Sequence, residues 1–171
     1  SGKLKSLGGI TIEFCKNLKE LNLPDTLVSL SSTFSTTDKL EKINVDSKNP
    51  YLKSVDGVVF SKDGKTLIKY PCARKDDVYV IPSSVTTIGR SAFISVKNVD
   101  AVYIPTTVKY IDEVTFVYST CRILYQGSKS PATFNNAFDC RDVTYNAAYD
   151  SSCAHTFKTV TTKATAKKDG S

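Results

Sequence analysis

The chain has 171 residues, of which 40% are hydrophobic and 23% are charged. This length favours a single domain, and the balance of apolar and charged side chains excludes an intrinsically disordered chain. No run approaches the roughly 18–20 apolar residues of a membrane helix, and none resembles a signal peptide.

The net charge is +6, from 23 Lys and Arg residues against 17 Asp and Glu residues. About half of this excess lies in residues 156–171, and basic and acidic residues alternate through the rest of the chain. Nucleic-acid-binding proteins instead concentrate Lys and Arg in one patch or stripe. We therefore expect no nucleic-acid partner.

Copies of one short apolar pattern recur along the chain. In chain order they are residues 10–15, 18–34, 40–45, 79–93, 99–116, 123–125 and 143–145. Equivalent positions lie 22 or 23 residues apart, as for Leu21 and Ile43 or for Pro82 and Pro105. Self-similarity at a fixed period of this length is the sequence signature of a stacked repeat protein.

Each complete copy predicts the same local structure. A short strand buries alternate residues and ends at a proline, which has no N–H to donate to a neighbouring strand. The chain then turns and places a second apolar pair, such as Val85 and Ile88, on another wall of the core, and Phe93 fills the interior. Because no unit covers its own apolar face, we expect the units to stack into a solenoid with a single continuous interior.

Residues 47–75 interrupt the repeat and are predicted to form an inserted β-hairpin. Asp63-Gly64 separates two apolar-rich runs, and both residues tolerate the positive φ angles that tight hairpin turns require. The two strands are therefore expected on either side of this pair, within residues 58–68.

Two features together resemble a known family. The cadence Ile-Pro-x-x-Val-x-x-Ile-Gly-x-x-Ala-Phe, intact at residues 81–93, and the insertion after Asn44 are similar to those of the BspA-type leucine-rich repeats of bacterial and protozoan surface proteins. The resemblance implies a leucine-rich-repeat-like solenoid, with short parallel strands along one face and turns or short helices on the other. We assign residues 1–146 to this solenoid and residues 147–171 to a Thr/Lys-rich tail, a linker or the start of a truncated module.

The five cysteines favour packing roles over chemistry. Cys15, Cys121 and Cys140 each lie near the turn before a strand, where leucine-rich repeats commonly place Asn or Cys, and a small thiol packs well there. Cys72 is interpreted as a turn residue. The odd count, in a chain long enough to build a core, disfavours a disulfide framework. A bridge between Cys121 and Cys140 stays open as an alternative.

Cys153 and His155 form the one pair that suggests a metal, since a thiolate and an imidazole can share a zinc ion. A structural zinc site needs four ligands, and residues 156–171 contain neither Cys nor His. We therefore interpret the pair as half of an incomplete module, and we predict no metal site and no cofactor for this chain.

The sequence lacks the groups that catalysis usually requires. Its one histidine, His155, lies in the tail, so a serine or cysteine nucleophile in the repeats would lack its usual base. The chain contains no phosphate loop, dinucleotide fingerprint or Gly-x-Ser-x-Gly elbow. We predict that the chain is not an enzyme.

The remaining candidate site is the outer face of the predicted parallel sheet, where equivalent residues form columns. One column is Asn22, Asn44, Val80, Tyr103, Leu124 and Thr144, and its neighbour is Glu20, Lys42, Val78, Ala101 and Arg122. Val80, Tyr103 and Leu124 form an apolar stretch expected to be exposed, which suggests partner binding. The predicted binding residues are Val80, Tyr103, Leu124, Lys42 and Arg122. The alternative, that β-branched and aromatic residues simply suit strands, stays open.

The resemblance implies a non-catalytic adhesion or recognition domain of a secreted or cell-surface protein, expected to be a monomer without direct membrane insertion. Its partner would be a protein or glycan on host or neighbouring cells. Because the chain begins with Ser1-Gly2 and contains no methionine, we expect it to be part of a longer precursor. The alternatives are a structural spacer and an accessory domain of a larger exported protein or enzyme.

Overall fold

The computed structural model describes residues 4–9, 12, 15–32, 37–134 and 143–148. In these ranges it contains thirteen short strands: β1 (Ser6–Gly9), β2 (Glu20–Leu23), β3 (Ser29–Ser32), β4 (Lys42–Val45), β5 (Leu52–Val55), β6 (Val58–Ser61), β7 (Thr66–Lys69), β8 (Asp76–Val80), β9 (Thr87–Ile88), β10 (Val99–Ile104), β11 (Tyr110–Ile111), β12 (Arg122–Tyr125) and β13 (Val143–Thr144). One turn of 3₁₀ helix, Ala132–Phe134, lies between β12 and β13. Within the described ranges, no helix is both long and apolar enough to cross a membrane.

The first wall of the solenoid is built from the strands that precede the repeat prolines or occupy the equivalent place. β2 pairs with β4, and β8, β10, β12 and β13 form a four-stranded sheet, with every pairing parallel. The register sets equivalent repeat positions side by side, such as Leu21 against Ile43. The predicted solenoid, with successive repeats stacked in register, is therefore confirmed.

The apolar positions of the repeat point into the interior. Ile81 and Ile104 are both buried, and the Ile81 N–H donates to the Tyr103 carbonyl at 3.0 Å. The Phe93 and Phe116 rings stack with their centroids 5.1 Å apart. The second apolar pairs are also buried: Val85, Ile88, Val108 and Ile111. Each apolar position of the repeat thus contributes to the core as predicted.

The second wall contains short strands as well as turns. β9 pairs in parallel with β7 and with β11, and β1 pairs in parallel with β3. Ile88 lies opposite Leu67 on one side and Ile111 on the other. The apolar position that follows each proline therefore builds this second ladder, and β-branched residues suit its extended backbone.

The insertion is a three-stranded antiparallel meander of β5, β6 and β7. The predicted turn at Asp63-Gly64 joins β6 to β7, with Gly64 at a φ of 77°. A second turn, which was not predicted, joins β5 to β6 through Asp56 and Gly57 at φ values of 48° and 81°. Two successive positive φ angles are what a two-residue hairpin turn requires. β7 then returns the chain to the second wall.

Strand β6 passes through the interior and divides it. Val58, Val59 and Phe60 are all buried, and alternate residues of a strand point to opposite sides. The N-terminal cluster comprises Leu7, Leu23, Leu27, Leu30, Leu40, Ile43, Leu52, Val59 and Cys72. The C-terminal cluster includes Val58, Phe60, Leu67, Tyr70, Ile81, Ile88, Phe93, Ile104 and Phe116. The expectation of a single continuous interior is therefore wrong, because the insertion separates two clusters.

The cysteines differ in burial even where their repeat positions match. Cys121 is buried, as predicted. Cys15 is exposed, because it opens a tight turn in which its carbonyl accepts the Leu18 N–H at 3.0 Å and its thiol faces solvent. Cys72 lies in a turn, as predicted, and its buried thiol donates to the Thr37 carbonyl at 2.8 Å.

Several sequence predictions fall on residues that the structure does not describe. Cys140, Cys153 and His155 are among them, together with the predicted tail from residue 149 onward. In the described ranges, no group of three or more His, Cys, Asp and Glu side chains is arranged to hold a metal ion.

Candidate interaction surface

The outer face of the first wall carries the predicted columns. Asn22 lies opposite Asn44 on β2 and β4, and Tyr103 lies between Val80 and Leu124 on the four-stranded sheet. In the neighbouring column, Ala101 lies between Val78 and Arg122. The register predicted from the repeat spacing therefore positions these side chains as expected. The two sheets are separate, so each column is interrupted between β4 and β8.

The apolar strip, defined as Val80, Tyr103 and Leu124, is more buried than expected. Tyr103 is 6% exposed and Leu124 is 4% exposed, and Val80 is half-buried. They form a small cluster with Ala101, against which Ala147 packs. The expectation that this strip is exposed is therefore wrong.

The cover comes from the chain that follows β13. Asn146 adopts a φ of 54°, and its N–H donates to the Gly127 carbonyl at 3.0 Å. The next N–H, that of Ala147, donates to the Tyr125 carbonyl at 3.1 Å. The Tyr103 hydroxyl in turn donates to the Ala147 carbonyl at 3.4 Å. These bonds hold Ala147 against the apolar strip, where it contributes to the burial of Tyr103 and Leu124.

The N-terminal part of the same face is polar and open. A pocket of about 340 Å³ lies at the ends of β2 and β4, lined by Asn22, Leu23, Pro24, Asn44, Val45 and Asp46. The Asn44 amide donates to Asn22 Oδ1 at 2.9 Å and to the Glu20 carboxylate. These bonds fix the orientation of both amides before any ligand arrives. We name this site the polar pocket.

The polar pocket was missed by the sequence analysis, although a signal for it was present. Asn22 and Asn44 are 22 residues apart and occupy the same repeat position. Two amides in one outward column lie close enough to bond to each other. Of the predicted binding residues, Lys42 and Arg122 are exposed, and Lys42 lies opposite Glu20 in the column beside the pocket.

Arg74 ties the insertion to the first wall. Its Nε donates to Asp76 Oδ2 at 2.7 Å, and its Nη1 donates to the Asp56 carbonyl in the turn between β5 and β6. The guanidinium also lies 5.9 Å from the Tyr70 ring centroid and 6.0 Å from that of Tyr79. Burial, followed by the hydrogen bond to Asp76, raises the pKa of Tyr70. The network therefore keeps the Tyr70 hydroxyl protonated as a donor.

Replacing Arg74 by lysine should lower the free energy of unfolding by about 1–2 kcal/mol. A lysine ammonium group cannot donate to both the Asp76 carboxylate and the Asp56 carbonyl with the geometry of the planar guanidinium. Hydrogen exchange at Ile43, whose N–H donates to the Gly57 carbonyl in this turn at 3.0 Å, should also accelerate, since Arg74 holds the turn. Chemical denaturation and amide exchange measure the two effects. The exposed Arg122→Lys variant is the control and should change stability by less than about 0.5 kcal/mol. An unchanged exchange rate at Ile43 would contradict the role given to Arg74.

Lys69 is a buried lysine whose pKa lies far below the ordinary value of this side chain. Its Nζ donates to the Ser91 carbonyl at 2.8 Å. Burial lowers the pKa of Lys69 to about 7, and the nearby Cys72 opposes this effect. An amine with such a pKa is nucleophilic near neutral pH, but the residue is only 3% exposed. A substrate therefore has no path to it, and Lys69 belongs to the interior.

Comparison with known proteins agrees with this architecture. The family model described as the BspA type leucine rich repeat region matches residues 1–68 and 72–162, in 6 copies. No curated protein matches the chain.

Two solved structures are similar in fold. The pneumococcal vaccine antigen PcpA superposes with a TM-score of 0.62 and 23% identity, over 72% of this chain and 32% of that one. A leucine-rich repeat protein from Eubacterium ventriosum ATCC 27560 gives a TM-score of 0.51 and 16% identity, over 83% of this chain and 55% of that one. This chain thus spans only part of the length of each. The recurring apolar positions, the parallel register and the six matched copies have one explanation: the chain belongs to the BspA-type leucine-rich repeat family.

Proposed function

We propose that this chain is a non-catalytic recognition domain of a secreted or cell-surface protein, and that it binds a protein or glycan on host or neighbouring cells along the outer face of the first wall. The polar pocket carries the proposal, because its amides are already oriented and open to solvent. A preorganised site loses less conformational entropy when it binds a ligand.

The chemistry of the pocket suits a ligand rich in hydroxyl or amine donors. Asn22 and Asn44 supply amide groups that both donate and accept, and Asp46 and Glu20 supply acceptors. Lys42 extends the same face with a positive charge beside the pocket. Arg122 provides a second exposed cation further along the wall. Contacts at both ends would let an extended partner lie along the strands.

Two observations support a role without catalysis. Lys69, the amine with a pKa near neutrality, is enclosed by the interior. In the polar pocket the Asn44 amide donates to Asn22 Oδ1 and to the carboxylate of the neighbouring Glu20, which orients the amides for binding. The solved structure of a pneumococcal vaccine antigen with the same fold is consistent with a location outside the cell.

Binding to arrays of extracellular-matrix proteins and glycans tests the proposal. We expect at least one saturable ligand, whose affinity falls about fivefold to tenfold in Asn44→Ala and in Arg122→Glu, since a contributing interface side chain is worth roughly 1 kcal/mol or more. Lys97→Glu, at an exposed position outside both columns, is the matched control. Equal affinity of all four proteins for the ligand would remove the first wall as the binding surface.

A second candidate function is a structural spacer, and the burial of the apolar strip favours it. Tyr103 and Leu124 are covered by the chain itself, so the most apolar part of this face is not offered to a partner. A spacer should give no saturable ligand on either array.

A further inference from the structure

A groove of about 490 Å³ lies in the second wall, between β3 and the five-stranded sheet of β5, β6, β7, β9 and β11. Its lining is mainly apolar and includes Val28, Leu30, Tyr51, Leu52 and Ile68. Tyr51 is 51% exposed and Val28 is also exposed, although both are large apolar side chains. Apolar side chains that stay exposed around one concave site are characteristic of a surface that binds a partner.

One side of this groove is the edge of a strand. In the part of the chain that the structure describes, β3 pairs with β1 and with no other strand. The Val28 N–H donates to the Lys5 carbonyl at 2.7 Å, on the β1 side. Backbone N–H and C=O groups alternate in direction along a strand, so every second residue of β3 directs these groups away from β1, toward the side where Ser29 and Leu30 line the groove. An edge of this kind is a template for a further strand.

The groove also carries a charge that an added strand could use. Among the described residues that line the groove, Arg90 carries a charge and none is a carboxylate. The Arg90 side chain is 70% exposed, and its Nη1 is 4.0 Å from Asp112 Oδ1, which is beyond hydrogen-bonding distance. Asp112 instead accepts the Val114 N–H at 3.1 Å. The guanidinium thus keeps a long ion pair with Asp112 but stays exposed, so that a carboxylate of a partner can reach it and form two parallel hydrogen bonds with it.

We propose that this groove binds an extended segment of a partner protein, which adds as a strand to the edge of β3. Alternate apolar side chains of the segment lie against Val28, Tyr51 and Ile68, and a carboxylate of the segment pairs with Arg90. Main-chain hydrogen bonds supply affinity in this mode, and the pockets for alternate side chains supply specificity. A second copy of this chain is the weaker occupant, because two copies would each bring a charge of +6.

The proposal does not depend on the polar pocket, since the groove is in the second wall. The probe is a displayed library of decapeptides. These peptides carry valine, isoleucine or tyrosine at alternate positions and random residues between them. We expect the chain to select peptides that carry aspartate or glutamate. Affinity for these peptides should fall at least tenfold in Arg90→Glu and should stay unchanged in Lys97→Glu, a charge reversal at an exposed position outside the groove.

Backbone N-methylation of a selected peptide at alternate residues tests the strand edge itself, because it removes peptide N–H groups and leaves the protein unchanged. Alternate residues of a strand direct their N–H groups to opposite sides. We therefore expect one of the two alternating methylation patterns to lower the affinity at least tenfold relative to the unmethylated peptide.

Three results would overturn the proposal. The first is that no peptide is selected above an empty surface. The second is that the selected peptides bind wild type and Arg90→Glu equally. The third is that wild type self-associates and Arg90→Glu abolishes this, which would make a second copy the occupant. Loss of glycan or matrix binding in the first-wall variants alone would leave this groove unaffected.

Discussion

Replacing Asn49 by aspartate should lower the free energy of unfolding by at least about 3 kcal/mol. Asn49 is fully buried, and its Nδ2 donates to the Pro24 and Leu27 carbonyls at 2.9 Å and 2.8 Å. Its Oδ1 accepts the N–H groups of Tyr51 and Leu52, both at 2.8 Å. Aspartate keeps the two acceptor bonds but removes the Asn49 donor from the Leu27 carbonyl and from the Pro24 carbonyl, of which the latter still accepts the Leu27 N–H at 3.3 Å. Each lost bond costs roughly 1–3 kcal/mol, and the carboxylate adds a buried charge.

This substitution nearly preserves shape, so it isolates the hydrogen bonds. Urea denaturation at pH 7 measures the effect, and Asn98→Asp, at an exposed position, controls for the added charge. Amide exchange should accelerate at Leu27, whose N–H donates to the Pro24 carbonyl, because the two bonds that aspartate loses are those that join this turn to the insertion. A loss no larger than that of Asn98→Asp would show that Asn49 does not hold the two segments together.

Replacing Lys69 by methionine should stabilise the chain at pH 6 and should flatten its stability between pH 7 and pH 9.5. The folded-state pKa of about 7 lies below the ordinary value of 10.5, so the unfolded state holds the extra proton in this window. Stability of the wild type should therefore rise with pH there, by roughly 3 kcal/mol between pH 7 and pH 9.5. Methionine removes the charge but leaves the Ser91 carbonyl without this donor, so its advantage should reverse at high pH.

Denaturation curves of both proteins across this range give the test as a difference. Burial raises the pKa values of Tyr70 and Tyr79, so both stay protonated in the folded state, and any contribution from their ionisation in the unfolded state is common to both proteins and cancels in the difference. Lys97→Met is the control, since residue 97 is exposed, and it should leave the pH dependence unchanged. A constant difference between Lys69→Met and wild type at every pH would contradict the buried, titrating amine.

Local sequence patterns predicted most of the fold because its repeats are local units. The cadence through Ile81, Val85, Ile88 and Phe93 places each side chain on a wall or in the interior, and a parallel stack repeats that assignment. Asp63-Gly64 predicted one hairpin turn. Asp56-Gly57 carries the same signal, and the structure shows that it forms the tighter turn of the two.

The features that the sequence analysis missed depend on contacts between distant segments. Tyr103 is covered by Ala147, which lies 44 residues further along the chain. The sequence around Tyr103 contains no pattern that predicts this contact. The division of the interior had a local sign, since Val58-Val59-Phe60 is a continuous apolar run, typical of a strand buried on both faces. What the run alone could not show is that β6 crosses between two groups of repeats.

Proton NOE measurements on a sample with labelled valine, leucine and isoleucine methyl groups most directly test the divided solenoid. The Val59 methyl groups should give NOEs to leucine methyl groups of the N-terminal cluster. The Val58 methyl groups should give NOEs to methyl groups of the C-terminal cluster. Neither valine should give NOEs to both clusters. NOEs from both valines to one shared set of methyl groups would contradict the account.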